Sequence, residues 1–184
     1  MASTYCGITS GLGITCDALK RVGGLNKRVW LFNISALASP IVALTDGFVT
    51  NIPLTTYQTL YSIDGTKFAH SFEVNEQRSD EGNVQWEHKL MLKVINITPT
   101  ADAILEDLTV SEVGAIVQTN NLEFLILGAQ NGLTCTEQKL ISGQKSGDSS
   151  SSSLTLTGSE QSIYKRLLRT DANTTLAYLN AMTA

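Results

Sequence analysis

The sequence predicts a mainly β fold: an antiparallel β-sandwich or barrel with one flanking α-helix, at about residues 98–109, and an extended N-terminal arm. Two observations predict the sheets. Short segments alternate between apolar and polar residues, and turn signals separate these segments. The third observation is a single stretch with helical periodicity. A chain of 184 residues forms one core. We divide it into an arm (1–27), a sandwich domain (28–170) and a C-terminal tail (171–184).

The predicted arm, residues 1–27, is interrupted by glycines, and neither helical nor strand periodicity continues through it. A mostly apolar strand at residues 28–34 opens the body of the domain. Two Asp-Gly pairs then each predict a β-hairpin, because this dipeptide favours the tight turns that join antiparallel strands. Asp46-Gly47 joins residues 41–44 to 48–52, and Asp64-Gly65 joins residues 57–63 to 67–76.

The clearest strand is predicted at residues 84–94, where apolar residues and His88 share one face and charged residues share the other. The predicted helix follows this strand. Thr98 is a favourable N-cap, Pro99 suits the first helical position, and apolar residues recur at helical spacing after it. This segment is the flanking helix of the prediction.

Strand patterns resume after the helix and are separated by loops. Residues 143–153 are predicted to be a low-complexity loop, because its glycines and serines are too polar to pack in a core. Residues 171–184 are compatible with either a short helix or an extended tail. The remaining strands are predicted at residues 114–118, 122–127, 133–141, 154–157 and 162–168.

Composition and charge limit the classes of function. Charged residues make up only 16% of the chain, while serine and threonine together number 38, which indicates a neutral, hydroxyl-rich surface suited to contacts with other protein chains. The net charge of −4 argues against a protein that grips the phosphates of nucleic acid. The charge is uneven, with +3 in residues 1–45, −8 in residues 46–123 and +1 in residues 124–184. Such asymmetry suits head-to-tail contacts between identical copies.

No signal peptide is recognised at the start of the sequence, and no apolar run has the length of a membrane-spanning helix. The three cysteines, Cys6, Cys16 and Cys135, have neither the number nor the spacing of a disulfide framework or a zinc site. We therefore expect reduced thiols and a protein made in a reducing cytosol.

No catalytic constellation, metal site or cofactor motif is predicted, so the sequence indicates a protein that is not an enzyme. Both histidines, His70 and His88, occupy inward-facing strand positions, where a hydrogen-bonded core histidine is expected rather than a general base. Neighbouring acids, such as Glu106-Asp107 on the helix, do not face each other and are expected on solvated surface.

A glycine-rich arm that contains Cys6 and Cys16 leads into the strand beginning at Arg28, and several short motifs follow. In this layout the chain resembles the tail tube proteins, or major tail proteins, of long-tailed bacteriophages. The resemblance covers most of the sequence. The later motifs that carry it are Tyr61 to Gly65, Phe124 to Leu133, Gly147-Asp148 and Leu154 to Glu160.

The resemblance implies hexameric rings whose sheets join into one inner barrel and which stack into a tube. It implies a tape-measure protein and a tail terminator as partners, no cofactor, and double-stranded DNA that passes through the lumen without specific binding. The implied location is the virion tail, assembled in the host cytoplasm without a membrane, with the serine-rich loop facing outward. By analogy, contacts between rings are assigned to Tyr5, Lys20, Arg21, Lys27 and Arg28 and to the hairpin residues Asp46, Gly47 and Phe48.

The acidic middle of the chain, residues 46–123, suggests the further hypothesis that an acidic lumen repels DNA. Two other classes of protein remain open. One is a different virion β-sandwich protein, such as a tail terminator, a distal tail protein or a head decoration protein, which forms a single ring or binds the capsid. The other is a carbohydrate-binding module, which needs a cluster of exposed aromatic residues.

Overall fold

The computed structural model describes residues 23–44, 46–66, 68–95, 98–141 and 150–184. Within these residues ten β-strands form two sheets, one of six strands and one of four, and two α-helices accompany them. The predicted mainly β sandwich with a flanking helix is therefore confirmed.

The larger sheet has the strand order β2-β10-β7-β6-β1-β3. Its neighbouring strands are antiparallel except β10 and β2, which are parallel. The central strands read as nearly continuous apolar runs because both faces of this sheet are covered. The strands are β1 (Leu25–Asn33), β2 (Phe48–Val49), β3 (Tyr61–Asp64), β6 (Val113–Thr119), β7 (Phe124–Leu127) and β10 (Lys165–Leu167).

The smaller sheet is antiparallel throughout and has the order β4-β5-β9-β8. The predicted alternation of β5 is confirmed, since His88, Leu90 and Leu92 are buried while Lys93 is exposed. The strands are β4 (Ser71–Arg78), β5 (Val84–Ile95), β8 (Thr134–Ile141) and β9 (Ser151–Glu160).

Two hydrophobic clusters lie on opposite faces of the larger sheet. Val29 and Leu31 of β1 point into the cluster between the two sheets, whereas the alternate residues Trp30 and Phe32 point into the second cluster. The C-terminal helix covers that second cluster, and its Leu179 is fully buried there. The molecule therefore has a third layer outside the sandwich.

The two helices are α1 (Pro99–Val110) and α2 (Ala172–Ala181). α1 confirms the predicted helix, with the hydroxyl of Thr98 accepting a hydrogen bond from the backbone N–H of Ala101. α2 is a second helix, in addition to the predicted flanking one. Of the two possibilities left open for the C-terminal segment, the structure shows the helix, which buries Thr175 and Leu179 against the domain.

Asp171 caps α2 and supports a specific stability prediction. Its carboxylate accepts a 2.7 Å hydrogen bond from the backbone N–H of Thr174, and the Thr174 hydroxyl accepts one from the Asp171 N–H. We expect Asp171→Ala to lower the free energy of unfolding by about 1 kcal/mol and Asp171→Asn by less, because asparagine is also a good N-cap. Urea denaturation checks both values, and equal losses in the two variants contradict the capping role.

The second Asp-Gly pair does not form the predicted hairpin. β3 pairs with β1, and β4 pairs with β5, so Asp64-Gly65 lies in a connection from one sheet to the other. The backbone N–H of Gly65 donates to the carbonyl of Lys27 at the neighbouring strand. A turn dipeptide specifies a local reversal of the chain but not the partner of the strand that follows.

The first Asp-Gly pair does form a turn, in which the Leu44 N–H donates to the Phe48 carbonyl over 2.8 Å. Residues 41–44 are nevertheless not a strand, and β2 pairs with β10 instead. The predicted serine-rich loop is also shorter than expected. Residues 142–149 lie outside the described residues, but Ser151 and Ser152 are buried at the start of β9.

Candidate functional site

The outer strands of the smaller sheet, β4 and β8, each pair on one side only within the described residues. Each strand is eight residues long. The outer end of β8 exposes two large apolar side chains, with 64% of Leu140 and 45% of Ile141 accessible. Long open strands with exposed apolar residues favour pairing with another chain.

The directions of these two strands are opposite, because three successive antiparallel pairings separate β4 from β8. When β8 of one copy lies beside β4 of the next in the same sheet, the new pair is therefore also antiparallel. The alternation of strand directions continues across the junction without a break. The two edges differ from each other, so such a contact is head-to-tail.

The solvent face of the smaller sheet is electrically balanced. The register places three acids and three bases on this face, among serine and threonine side chains. Most acids of residues 46–123 lie elsewhere, including Asp102, Glu106 and Asp107 on α1. The charged residues of the face are Glu73, Glu87 and Glu137 with Lys89, Lys93 and Lys139.

Lys27 and Arg28, two of the predicted contact residues, lie on β1, which is next to the edge strand β3 of the larger sheet. Arg28 forms a two-point ion pair with Asp64 of β3, with distances of 2.6 and 2.8 Å. This hydrogen bonding lowers the pKa of Asp64 from its ordinary value. Arg28 is thus already engaged within its own chain, while the carbonyl of Lys27 accepts hydrogen bonds from Gly65 and His70.

The predicted contact residues Asp46, Gly47 and Phe48 lie at the opposite edge of the larger sheet. The Asp46 carboxylate accepts a 3.0 Å hydrogen bond from the Phe48 N–H, which stabilises the turn. Three strands separate β2 from β1, so this group and the Lys27 group are about 20 Å apart. The structure does not bring them together. The other predicted contacts, Tyr5, Lys20 and Arg21, lie outside the described residues.

His70 connects the two sheets. Its Nδ1 accepts a 3.3 Å hydrogen bond from the backbone N–H of Lys93 in the smaller sheet. Its Nε2 therefore carries the proton, and it donates to the carbonyl of Lys27 in the larger sheet over 3.1 Å. Burial lowers the pKa of His70, partly opposed by the Lys27 carbonyl and by Asp64.

His88 makes the same kind of connection from β5. Its Nδ1 accepts from the backbone N–H of Gly128, which follows β7, and its Nε2 donates to the carbonyl of Ser162. Burial lowers its pKa too, against smaller opposing effects of that carbonyl and of Glu160. Because both nitrogens of both rings are engaged, neither histidine offers a free base or metal ligand, in agreement with their predicted core role.

Glu160 is a buried acid for which the sequence predicts no role. Its Oε1 accepts hydrogen bonds from the backbone N–H groups of Gln130 and Asn131, at 3.0 and 2.9 Å. The side chain thereby holds the turn between β7 and β8 against the end of β9. Because one of its oxygens accepts hydrogen bonds from two consecutive backbone N–H groups, this carboxylate has a structural role.

The open edges were also missed, although the strands themselves were predicted. A signal was present in β8, where the consecutive residues Glu137, Gln138 and Lys139 are polar on both faces of the strand. Polar residues on both faces are typical of a strand at a sheet edge rather than at its centre. This criterion identifies β8 from the sequence, but it does not identify β4.

Over the described parts of the chain, no group of three or more histidine, cysteine, aspartate or glutamate residues is placed to hold a metal ion. The described helices also include none that is both long and apolar enough to cross a membrane. Comparison with known proteins finds no matching family model, no matching curated protein and no matching solved structure.

Proposed function

We propose that this protein is a self-assembling structural subunit, and specifically a tail tube protein of a long-tailed bacteriophage. The observation that carries the proposal is the four-stranded antiparallel sheet with an open eight-residue strand at each edge. The two edges run in opposite directions and therefore pair head-to-tail without disturbing the sheet. A catalytic role has no comparable support, since the buried histidines are used in structural hydrogen bonds.

Repeated head-to-tail pairing of β8 with β4 closes into a ring when the rotation between neighbours divides a full turn. A closed sheet leaves no free edges, which is why rings are favoured over open chains of subunits. The resemblance in sequence layout suggests six copies. In that ring the solvent face of the smaller sheet lines the lumen, and the larger sheet with α2 lies outside.

The lumen of such a ring is neutral rather than acidic. Three acids and three bases on the lining face cancel, and the remaining positions are mainly hydroxyl side chains. We therefore replace the acidic-lumen hypothesis with a neutral lumen. A surface without net charge gives phosphate groups nothing to bind and no counterions to release, so DNA passes without being held.

The first test is the oligomeric mass and morphology of the purified protein, from light scattering and negative-stain electron microscopy. We expect rings and hollow tubes. We expect Leu140→Lys to prevent ring formation, because it replaces a large exposed apolar side chain of the pairing edge with a second charge beside Lys139. The matched control is Leu122→Lys: Leu122 is the same residue type and is 59% exposed, against 64% for Leu140, but it lies in the turn between β6 and β7 of the larger sheet.

A monomer that persists at high concentration, or a Leu140→Lys variant that still forms rings, contradicts the proposal. Rings that never stack favour a tail terminator, distal tail or head decoration protein instead. Far-ultraviolet circular dichroism of each variant shows whether the fold is retained, so that loss of assembly is not confused with unfolding.

A further inference from the structure

The two open edges of the smaller sheet carry complementary side chains on both faces of the sheet. On β4, Glu73 points to the solvent face, and Phe72 points to the face that packs on the larger sheet. On β8, Lys139 points to the solvent face and Leu140 to the packed face. Each edge therefore presents one charged side chain beside one large apolar side chain, and the two charges are opposite.

These side chains are available for contact with a second copy. Glu73 and Lys139 are exposed and form no ion pair with another described residue, although Glu73 lies opposite Lys89 of β5. Leu140 is mostly exposed, and Phe72 is only partly buried at the border of the core between the sheets. A neighbouring copy is therefore able to use all four side chains without breaking a contact within the chain.

Pairing of β8 with β4 of the next copy has few possible registers. Residues directly opposite each other in an antiparallel pair have their side chains on the same face. A change of register that keeps both faces in place therefore moves β8 by two residues at a time. In the possible registers, Lys139 of one copy lies opposite Ser71, Glu73, Asn75 or Gln77 of the next.

Side-chain chemistry favours the register in which Lys139 lies opposite Glu73. Opposite charges then meet on the solvent face, and Leu140 meets Phe72 on the packed face. Both kinds of cross-strand pair stabilise a sheet.

The other registers lose these pairs. With Lys139 opposite Ser71, Glu137 lies opposite Glu73, and like charges in that position are destabilising. With Lys139 opposite Asn75, Glu73 lies opposite the apolar side chain of Ile141. A further step of two residues places Leu140 opposite Glu76.

The favoured register also determines the tilt of the strands in a ring. Within one copy, Glu73 of β4 is level with Thr157 of β9, through Lys89 of β5. Lys139 of β8 is level with Ser153, which is four positions from Thr157 along β9. Pairing Lys139 with Glu73 therefore displaces successive copies by four residues, about 13 Å along the strands, while the four strands of one copy span about 19 Å across the sheet. Because equivalent points of a ring are level, the strands tilt by about 35° from the ring axis, whatever the number of copies.

This tilt is within the range of about 35 to 45° that is typical of closed sheets. The registers with Lys139 opposite Ser71 or Gln77 imply tilts of about 19° and about 54°, outside that range. The register with Lys139 opposite Asn75 implies about 46°, close to the upper limit. Geometry therefore leaves two registers, and the charged and apolar pairs select one of them.

We infer that β8 of one copy pairs with β4 of the next in the register that places Lys139 opposite Glu73 and Leu140 opposite Phe72, an inference that rests on the proposed assembly function. Neither the open edges alone nor the resemblance in sequence layout gives this register. Glu73 then lies between two lysines, Lys89 of its own chain and Lys139 of the neighbouring copy. The charges of β8 and β4 thus act as specificity determinants of the contact.

Disulfide mapping of the assembled full chain tests the register. One variant combines Glu137→Cys with Asn75→Cys, two exposed positions that lie directly opposite each other in the inferred register. The control combines Glu137→Cys with Gln77→Cys, two residues further along the same face of β4. Directly opposed Cα atoms are about 5 Å apart, whereas those of the control pair are about 8 Å apart, beyond the limit of about 7 Å for a disulfide.

A disulfide between these positions joins two copies, because β4 and β8 of one chain are three strand spacings, about 14 Å, apart. Mass spectrometry after mild oxidation identifies the joined cysteines and distinguishes them from Cys6, Cys16 and Cys135. We expect the yield between positions 137 and 75 to exceed that of the control pair by about tenfold or more.

Exchange of the charges provides a second, independent readout. Glu73→Lys and Lys139→Glu should each raise the protein concentration needed for ring formation by about fivefold, because each places like charges opposite each other. The double variant should recover most of this loss, since opposite charges meet again. The matched control is Lys93→Glu, which changes an exposed lysine on the same face but in the central strand β5, and it should have little effect.

The possible outcomes separate this inference from the proposed function. Rings in which position 137 is joined to position 77 rather than to position 75, or to neither, overturn the register and leave the proposed function standing. A double charge variant that assembles no better than the weaker single variant does the same. If the unsubstituted protein forms no rings, the proposed function fails and the register fails with it.

Discussion

Replacing Gly158 with alanine should lower the free energy of unfolding by about 3 kcal/mol, at the upper end of the cost of overpacking a core. A Cβ at this position in β9 lies 2.1 Å from the carbonyl oxygen of Gly132 and 3.2 Å from Leu133. The obstructing atom belongs to the backbone, and Leu133 is held by two hydrogen bonds to Val113. The carbonyl of Gly132 is therefore unable to rotate away as a flexible side chain does.

Gly114 provides an independent case of the same mechanism. A Cβ there lies 2.2 Å from the ring of Phe32, which is fully buried. We expect Gly114→Ala to cost a similar amount, and the added Phe32→Leu substitution to recover part of it, since the two sites are coupled by contact. The matched control is Gly23→Ala, because a Cβ at Gly23 has no neighbour within 4 Å.

Urea denaturation followed by circular dichroism measures these differences. The control should change the free energy of unfolding by less than about 0.5 kcal/mol. A loss below about 1 kcal/mol for Gly158→Ala would falsify the close approach of β9 to the turn before β8.

Stability should fall as the pH decreases below about 6.5, the ordinary pKa of histidine. Burial lowers the pKa of both His70 and His88 in the folded state, so the unfolded chain binds protons first as the solution is acidified. The free energy of unfolding therefore decreases from about pH 6.5 downwards, until the pH has passed the lowered folded-state pKa values. Above pH 6.5 the full contribution of the neutral rings is present.

The loss of stability should be larger than for two exposed histidines, because a proton on Nδ1 of either ring removes the acceptor for a backbone N–H. Denaturant midpoints measured between pH 8 and pH 5 test this expectation. The double variant His70→Gln, His88→Gln should be less stable at pH 8, by about 1 to 3 kcal/mol for each unsatisfied backbone group. Its stability should vary much less over the same pH range.

Asp64 and Asp171, whose pKa values are also shifted, do not affect this measurement between pH 8 and pH 5. The pKa of Asp64 and that of Asp171 are lowered by hydrogen bonds from Arg28 and Thr174. Their contributions are present above about pH 4 and are lost only at lower pH. An unsubstituted protein whose midpoint is constant from pH 8 to pH 5 contradicts the role of the histidines.

The sequence predicts an element correctly where one local pattern determines its secondary structure. The alternation of β5 was predicted because one of its faces is buried throughout, and α1 was predicted because Thr98 and Pro99 define its start. The strand predicted at residues 41–44 was wrong, because apolar character alone does not provide a strand with a pairing partner. The burial of Ser151 and Ser152 depends on their pairing with Ile95 and Val94, which are far away in the sequence.

The candidate interface was predicted less well than the fold. Edge positions are a property of strand order, and strand order follows from contacts between distant segments rather than from the composition of any one strand. The local sequence of Asp64-Gly65 predicts a turn equally well in a hairpin and in a connection between sheets. For the same reason the sequence does not show that only Glu73 and Glu87, among the acids of residues 46–123, lie on the solvent face of the smaller sheet.

The smaller sheet also has a consequence for the kinetics of folding. It consists of two hairpin-like pairs, β4 with β5 and β8 with β9, whose strands are close in the sequence. The pairing of β5 with β9 that unites them joins residues from 56 to 74 positions apart. Loop closure of that length is slow compared with hairpin formation. We therefore expect both outer hairpins to form before the central pairing, so that four strand edges, rather than two, are open to neighbouring chains until β5 and β9 pair.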